Sequence, residues 1–385
     1  MLKPSRIQTT PTSQALVQHW ANRYRTDLQQ FSKTSDPLVL EQYITAAYPE
    51  NRTQTALRIK RSLHLYCELG AINAVALFSI SANFVNLNEA RRLAIYVEAV
   101  YQEILTLYAQ QASSLTLSAP LPVEDLSDMM ETQLLQLQEQ HQIAKDARTI
   151  GFLTTQFHFT TLAVLRTCTP YERVWLKPYF QFVEEQVGIP WQRICAAAQE
   201  HDPESPLFQV VAALIPLSQT IAKRVHRRAV EQFPEHRSRR GTLNTPKVAA
   251  SSLRDLVMFQ GYLCLCLLER NLEAIATELL PLCQLVFPSI EVQWELVEYG
   301  IDLLIQEIHA VLPEDQQRLI QPYTSIMGGL FIRSSSPTDD DEFEELDTLD
   351  EIDSLDEDED ITDLIDLSVM EDLEQSFRHF LNIQT

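Results

Sequence analysis

Apolar residues recur every three or four positions along most of this chain, and that spacing restricts it to helical folds. The first such series is Leu16, Trp20, Tyr24, Leu28 and Phe31. Because an α-helix has 3.6 residues per turn, residues at this spacing share one helix face. Alternating apolar and polar runs bounded by turn residues, which predict strands, are nearly absent. The sequence therefore predicts an all-α fold, either a multi-helix bundle or two packed helical subdomains.

Capping residues and prolines predict where some helices begin and end. Thr169-Pro170 places a capping hydroxyl before a proline at the first helical position. A helix over about residues 53–69 is predicted to end at Gly70, since glycine is common at helix C-termini. Pro216 lies inside a long predicted helix, where it predicts a kink.

Two changes in composition predict how the chain is divided. Residues 113–123 contain two prolines and interrupt the helical spacing. They are predicted to form a linker or crossover between an N-terminal helical subdomain (1–112) and a C-terminal helical subdomain (124–333). The second change follows residue 333, where the chain becomes strongly acidic.

The acidic residues of the C-terminal tail account for most of the net charge of −23. Residues 339–374 contain 20 acidic residues and no basic ones. Removing these from the total of 53 leaves 33, and 29 of the 30 Lys and Arg lie upstream, so the body is near −4. We therefore treat the body as almost neutral and the tail as a separate feature.

The tail is predicted to consist of two parts. Residues 334–364 have a high charge density and few large apolar groups, so we expect a disordered tether. Residues 365–383 are less acidic, and their apolar side chains lie on one face of a predicted amphipathic helix. These candidate partner-binding residues are Leu367, Met370, Leu373, Phe377, Phe380 and Leu381.

The motifs of common enzymes and metalloproteins are missing from this sequence. Only 8 of 385 residues are glycine, and phosphate-binding loops need several glycines close together. No histidine is preceded by an acidic residue three positions earlier, the pair that carboxylate-bridged metal bundles use. The sequence thus predicts a protein that is not an enzyme, with no catalytic residues, no cofactor and no metal site.

His158 and Cys168 are the two residues in the body that could suggest a cofactor. His158 could ligate a tetrapyrrole in a helical fold, and Cys168 could attach one. A histidine in an apolar context is more often a core or boundary residue with a protein partner. The six cysteines include no CxxC pair and lie mostly in apolar helical segments, which indicates buried thiols in a reducing compartment.

The N-terminal residues lack the apolar stretch of a secretory signal. Residues 71–85, an apolar stretch interrupted by polar residues, are too short and too polar to span a bilayer. We therefore expect a cytoplasmic protein without a membrane span.

The strongest local signal in the body is a cluster of seven basic residues within 18 positions, partly on a helix and partly in a polar loop predicted at 233–250. They are Lys223, Arg224, Arg227, Arg228, Arg237, Arg239 and Arg240. Such a cluster could bind an acidic protein partner, the acidic tail of the same chain or nucleic acid phosphates, or it could be a solvated surface. Nucleic acid is disfavoured because Phe233 is almost the only aromatic side chain nearby for base stacking.

These features together predict a non-catalytic protein–protein interaction protein: an adaptor, assembly factor or regulator. It would use the tethered C-terminal helix and the arginine-rich cluster. Two alternatives remain open: a globin-like helical sensor or carrier of a small molecule, and a nucleic-acid-associated regulator that acts through the arginine-rich segment.

Overall fold

Helices make up nearly all of the chain that the computed structural model describes, which confirms the predicted all-α class. The structure describes residues 11–24, 37–78, 87–110, 122–130, 132–134, 136–137 and 149–333. In chain order the helices are α1 (Pro11–Asn22), α2 (Pro37–Ala47), α3 (Pro49–Arg61), α4 (Leu63–Phe78), α5 (Leu87–Gln110), α6 (Val123–Met129), α7 (Thr149–Arg166), α8 (Pro170–Gly188), α9 (Trp191–Gln199), α10 (Pro206–Gln232), α11 (Pro246–Glu269), α12 (Leu280–Ser289), α13 (Trp294–Val311) and α14 (Glu314–Arg333). One π-helical turn, Ile275–Leu279, continues directly into α12.

The start of α8 follows the local rules that predicted it. The Thr169 hydroxyl accepts a hydrogen bond from the Glu172 backbone N–H at 3.2 Å, and the Glu172 carboxylate accepts one from the Thr169 N–H at 2.8 Å. Pro170 occupies the first helical position. This reciprocal capping box satisfies two backbone donors that a helix N-terminus leaves unpaired.

The prediction that a helix ends at Gly70 is wrong. The helix break lies at Ser62 instead, and the next helix, α4 (Leu63–Phe78), continues through Gly70. A Cβ atom added at Gly70 would lie 2.3 Å from Thr160 Oγ1 and 3.0 Å from the Gln156 carbonyl oxygen on α7. Glycine stands here because α4 and α7 approach too closely for a side chain, since protein interiors have no spare volume.

The predicted loop at 233–250 contains more structure than expected. Strands β1 (Arg237–Ser238) and β2 (Gly241–Thr242) form a short antiparallel hairpin in which Arg237 is opposite Thr242. Gly241 has a φ of +116°, a conformation that glycine adopts without steric cost. Helix α11 then begins at Pro246, earlier than the sequence predicted.

Buried apolar side chains form one main cluster that includes Leu16 on α1 and Phe331 on α14. Its packing brings α4 against α5 and α7, and α10 against α11 and α13. Residues 113–121 lie outside the described part of the chain, so the proposed linker and the division into two subdomains stay predictions. The predicted tether and C-terminal helix, residues 334–383, also lie outside it.

Among the described residues, one helical stretch is long and apolar enough to cross a bilayer, judged by length and composition alone. It is Val248–Glu269 in α11, with a mean hydropathy of 1.2, and 67% of its most apolar 18-residue segment is buried. A core helix of a soluble protein passes the same test, so this is weak evidence for a membrane span. This stretch differs from the apolar residues 71–85 that the sequence singled out.

Candidate functional site

The structure divides the seven predicted basic residues between two elements. Lys223, Arg224, Arg227 and Arg228 project from the second half of α10, whereas Arg237, Arg239 and Arg240 belong to the hairpin that follows. Positions four apart on a helix share a face, so the four α10 residues form two adjacent rows. We call this set of four side chains the α10 basic face.

A single glutamate on α13 pairs with two arginines of the α10 basic face. Arg228 Nη1 lies 3.2 Å from Glu307 Oε1, and Arg224 Nη1 lies 3.6 Å from Glu307 Oε2. Gln306 accepts a hydrogen bond from Arg228 Nη2 at 3.5 Å and donates one to Asp302 at 2.6 Å. Helix α13 therefore fixes the two guanidinium groups but supplies them with one shared carboxylate, so positive charge remains.

The other row of the α10 basic face has no such partner among the described residues. Lys223 and Arg227 are exposed, and within the described ranges no carboxylate lies within 4.0 Å of either side chain. His226, between them, is half-buried, and burial lowers its pKa. The imidazole is therefore neutral near pH 7, and the charge of this row comes from Lys223 and Arg227.

The arginines of the hairpin have a different environment. Arg239 Nε donates to Glu291 Oε1 at 3.1 Å, and the Arg239 backbone N–H donates to the Ile290 carbonyl at 3.0 Å. These contacts fasten the hairpin to the turn between α12 and α13. Arg237 is exposed. Arg239 is thus a structural contact, and the α10 basic face is the better candidate for binding a ligand.

The α10 basic face carries the side-chain types that bind anions. Guanidinium groups form paired hydrogen bonds with carboxylates and phosphates, and a lysine ammonium adds a point charge. The two rows repeat over four residues of helix, or about 6 Å at 1.5 Å per residue. An acidic segment running along α10 could therefore pair with both rows.

The sequence did not reveal the acidic partners of these arginines. Glu307 is 79 residues from Arg228 along the chain, and Glu291 is 52 residues from Arg239. No local spacing connects residues that far apart. Glu307 resembles any other acidic residue of an amphipathic helix until α13 is packed against α10.

A separate open groove of about 800 Å³ lies between α2, α3 and the start of α8. Leu38 and Leu57 line it with 68% and 47% of their surface exposed. Its charged lining residues balance, with two of each sign: Glu41, Arg58, Arg61 and Glu172. Arg58 Nη2 and Glu172 Oε1 already pair at 2.7 Å, so the groove has no net charge preference.

His158 has a protein partner in the described body. Its Nδ1 lies 3.5 Å from Glu184 Oε2. Burial alone would raise the pKa of Glu184, but its interactions with His158, Thr161 and Arg254 together outweigh burial, and the pKa is lowered. Neither the groove nor a second, small internal cavity is lined by His158. The globin-like alternative stays a prediction.

All six cysteines are buried and free, as the sequence predicted. Burial raises the pKa of Cys168 to about 11, so its thiol is protonated at neutral pH. Among the residues described here, no group of three or more His, Cys, Asp or Glu side chains could hold a metal ion.

The six predicted partner-binding residues of the tail lie outside the described residues: Leu367, Met370, Leu373, Phe377, Phe380 and Leu381. Comparisons of the chain with protein-family models, with curated proteins and with solved structures gave no match.

Proposed function

We propose that this protein is a non-catalytic interaction protein, an adaptor, assembly factor or regulator, that binds an acidic protein segment on the α10 basic face. The observation that carries the proposal is the charge imbalance there. Arg224 and Arg228 share the one carboxylate of Glu307, while Lys223 and Arg227 are exposed without an acidic partner among the described residues. Four cations with one carboxylate within 4.0 Å of them, among the described residues, make a positive surface that an acidic partner would neutralise.

Pre-organisation supports binding at this surface. Because Glu307 and Gln306 hold two of the guanidinium groups, an incoming ligand would lose less side-chain entropy by fixing them. The remaining charge would speed the encounter with an acidic partner by long-range attraction. Both effects favour recognition of an acidic segment without any reactive group.

The C-terminal residues provide the second contact in this proposal. The apolar face predicted for residues 365–383 could lie in a hydrophobic groove of the partner, as amphipathic helices do. A tether of about 30 residues would raise the local concentration of that helix near its partner. The acidic residues 339–374 would in turn act as an intramolecular competitor for the α10 basic face.

A nucleic-acid ligand fits this surface less well. Phe233, the aromatic residue nearest in sequence, packs against Tyr299 with ring centroids 5.4 Å apart. A ring held in this contact is not free to stack on a base, and stacking supplies much of the affinity for single strands. Phosphate attraction alone would give binding without specificity.

Affinity purification from lysate tests the proposal with four forms of the protein. These are the wild-type chain, a chain truncated after Arg333, the variant Lys223→Gln/Arg227→Gln and the control Arg166→Gln/Lys177→Gln. The control removes the same charge from exposed positions on α7 and α8. We expect truncation and the Lys223/Arg227 variant each to lose co-purifying proteins that the control retains.

The same experiment can reject the proposal. If all four forms retain the same proteins, neither the tail nor the α10 basic face recruits them. If nuclease treatment removes the bound material from the wild-type chain, the ligand is nucleic acid, and the protein-partner proposal fails.

A further inference from the structure

Trp191 differs from the other three tryptophans in its indole N–H. Trp175 donates to the Tyr43 carbonyl and Trp294 to the Phe331 carbonyl, each at 2.9 Å. Trp20 donates to the Tyr24 hydroxyl at 3.0 Å. Trp191 Nε1 is buried and has no protein acceptor within the part of the chain that is described. A buried donor without a partner is costly, so it needs an acceptor that the side chains do not supply.

Gln260 on α11 has the complementary deficiency. Its amide nitrogen donates to the carbonyl oxygens of Ser218 and Leu256, both at 3.0 Å. These two bonds use both N–H groups and fix the orientation of the amide, because the reversed amide would set oxygen against oxygen. The carbonyl oxygen, Oε1, is buried and receives no hydrogen bond from the described residues.

The two side chains line one small cavity in the core. Its volume is about 10 Å³, and it lies between α9, α10, α11 and α13. Trp191 and Gln260 are 2% and 4% exposed, so bulk solvent does not reach either side chain. A cavity of this size holds about one water molecule, and a buried water needs two to four polar partners.

We propose that this cavity binds one structural water molecule that accepts a hydrogen bond from Trp191 Nε1 and donates one to Gln260 Oε1. A water molecule can satisfy both groups, because it can accept a hydrogen bond from one and donate a hydrogen bond to the other. It joins α9 to α11 at a point where neither helix carries a side chain that could complete the bond.

Gly261 makes this approach of the two helices possible. A Cβ added at Gly261 would lie 3.1 Å from Ile189 Cγ2 and 3.8 Å from Pro190 Cδ, in the segment that leads into α9. The small residue thus lets the start of α9 lie close to α11, with Trp191 beside Gln260. The Arg23 guanidinium lies 5.0 Å from the centre of the Trp191 ring. The water therefore also fixes the ring on which Arg23 stacks.

Crystallography and NMR of the full chain test the site directly. We expect a density peak within about 3.2 Å of both Trp191 Nε1 and Gln260 Oε1, the upper limit of a good hydrogen bond. In solution, the Trp191 indole proton should show a cross-peak to long-lived water, assigned by its loss in Trp191→Phe. The indole protons of Trp175 and Trp294, which donate to carbonyls, are internal controls that should show none.

Two results would overturn the inference: an empty cavity in a structure that resolves other internal waters, or a Trp191 signal no different from those of Trp175 and Trp294. A pair of variants adds an independent check through stability. Trp191→Phe should lower the free energy of unfolding by less in a Gln260→Leu background, because Gln260→Leu has already removed the group that accepts a hydrogen bond from the water. Strictly additive losses would contradict a shared water.

Discussion

Arg23, in the turn after α1, and Arg224, on α10, each pair with a glutamate that is distant in the sequence, but their surroundings are opposite. The side chains of Arg23 and Glu185 are 11% and 4% exposed and are joined by two hydrogen bonds of 2.9 Å. The side chain of Arg224 is 46% exposed and lies 3.6 Å from a glutamate that it shares with a second arginine. We call a buried, paired cation such as Arg23 an inner cation, and an exposed cation such as Arg224 an outer cation.

The Arg23–Glu185 pair is part of a larger hydrogen-bond network. Glu185 also accepts hydrogen bonds from Tyr24 at 2.9 Å and Gln181 at 3.0 Å. Burial would lower the pKa of Arg23, but Glu185 outweighs it and the pKa is raised, so this arginine stays charged. Arg52 is also buried, at 8% exposed, but its contacts are aromatic: it lies 4.2 Å from the Tyr108 ring centre and donates to the Tyr179 hydroxyl at 2.9 Å.

This difference separates the cations that stabilise the fold from those that are still available to bind a ligand. A paired and buried charge has little capacity for another anion, and removing its partner leaves an uncompensated charge in the core. An exposed pair contributes little to stability but keeps its charge accessible. Variants of the two kinds should therefore separate effects on stability from effects on binding.

The largest effect is expected for Arg23→Met. This change leaves the Glu185 carboxylate buried without its cation, and breaking a buried pair on one side costs about 3–5 kcal/mol. Urea denaturation measures the free energy of unfolding. The double variant Arg23→Met/Glu185→Gln should recover part of the lost unfolding free energy. If the double variant instead loses as much as the two single variants added together, the two residues are not coupled.

An intermediate effect is expected for Glu172→Gln, whose partner Arg58 is half-exposed. Burial alone would raise the pKa of Glu172, but hydrogen bonds from the Thr169 backbone, Thr55 and Arg58 outweigh it, and the pKa is lowered. Losing these charge-assisted bonds should cost about 1–3 kcal/mol at pH 7.

Because the pKa of Glu172 is lowered in the folded protein, the direction in which its contribution to stability changes with pH follows. A carboxylate with a lowered folded-state pKa stabilises the protein fully above its unfolded pKa of about 4.3. That contribution is lost as the pH falls through the lower folded-state value. The difference in unfolding free energy between wild type and Glu172→Gln should therefore shrink below about pH 4. A difference that is constant from pH 7 to pH 3 would contradict the assignment.

A smaller effect concerns the acidic residues of the tail. If they compete for the outer cations, truncation after Arg333 should tighten binding of an oligoglutamate peptide about threefold or more, since a tethered competitor acts at high local concentration. Fluorescence anisotropy in low salt measures the affinity. At 1 M salt, where the screening length falls to about 3 Å, the two chains should bind alike. If the gain in peptide affinity does not depend on salt concentration, the competition is not electrostatic.

The smallest effect is expected for Arg224→Ala. Exposed ion pairs contribute about 0–1 kcal/mol, so the unfolding free energy should change by no more than that. The same urea titration used for Arg23→Met provides the comparison. A loss as large as that of Arg23→Met would place Arg224 among the inner cations.

Much of the fold could be predicted because its signals are local. Helical spacing and the Thr169-Pro170 cap act within a few residues, and both predictions agree with the structure. Gly70 misled the sequence reading because its role depends on Thr160 of α7, which lies 90 positions away in the chain. A glycine at a helix end and a glycine at a helix crossing look the same in sequence.

The candidate site was predicted only as a list of cations. The sequence grouped all seven basic residues, but it could not distinguish Arg239, which fastens the hairpin to Glu291, from Lys223, which is exposed. It also passed over Arg23 and Arg52, because isolated arginines become notable only once Glu185 and Tyr179 pack against them.

Titration of an oligoglutamate peptide into the chain truncated after Arg333 tests the central claim most directly. Relative to the unsubstituted truncated chain, Lys223→Gln/Arg227→Gln should weaken binding about tenfold, or about 1.4 kcal/mol, at low salt. The control Arg166→Gln/Lys177→Gln should stay within about twofold, because equal net charge elsewhere adds only weak, screened attraction. Equal weakening by both pairs, or by neither, would contradict a binding site on the α10 basic face.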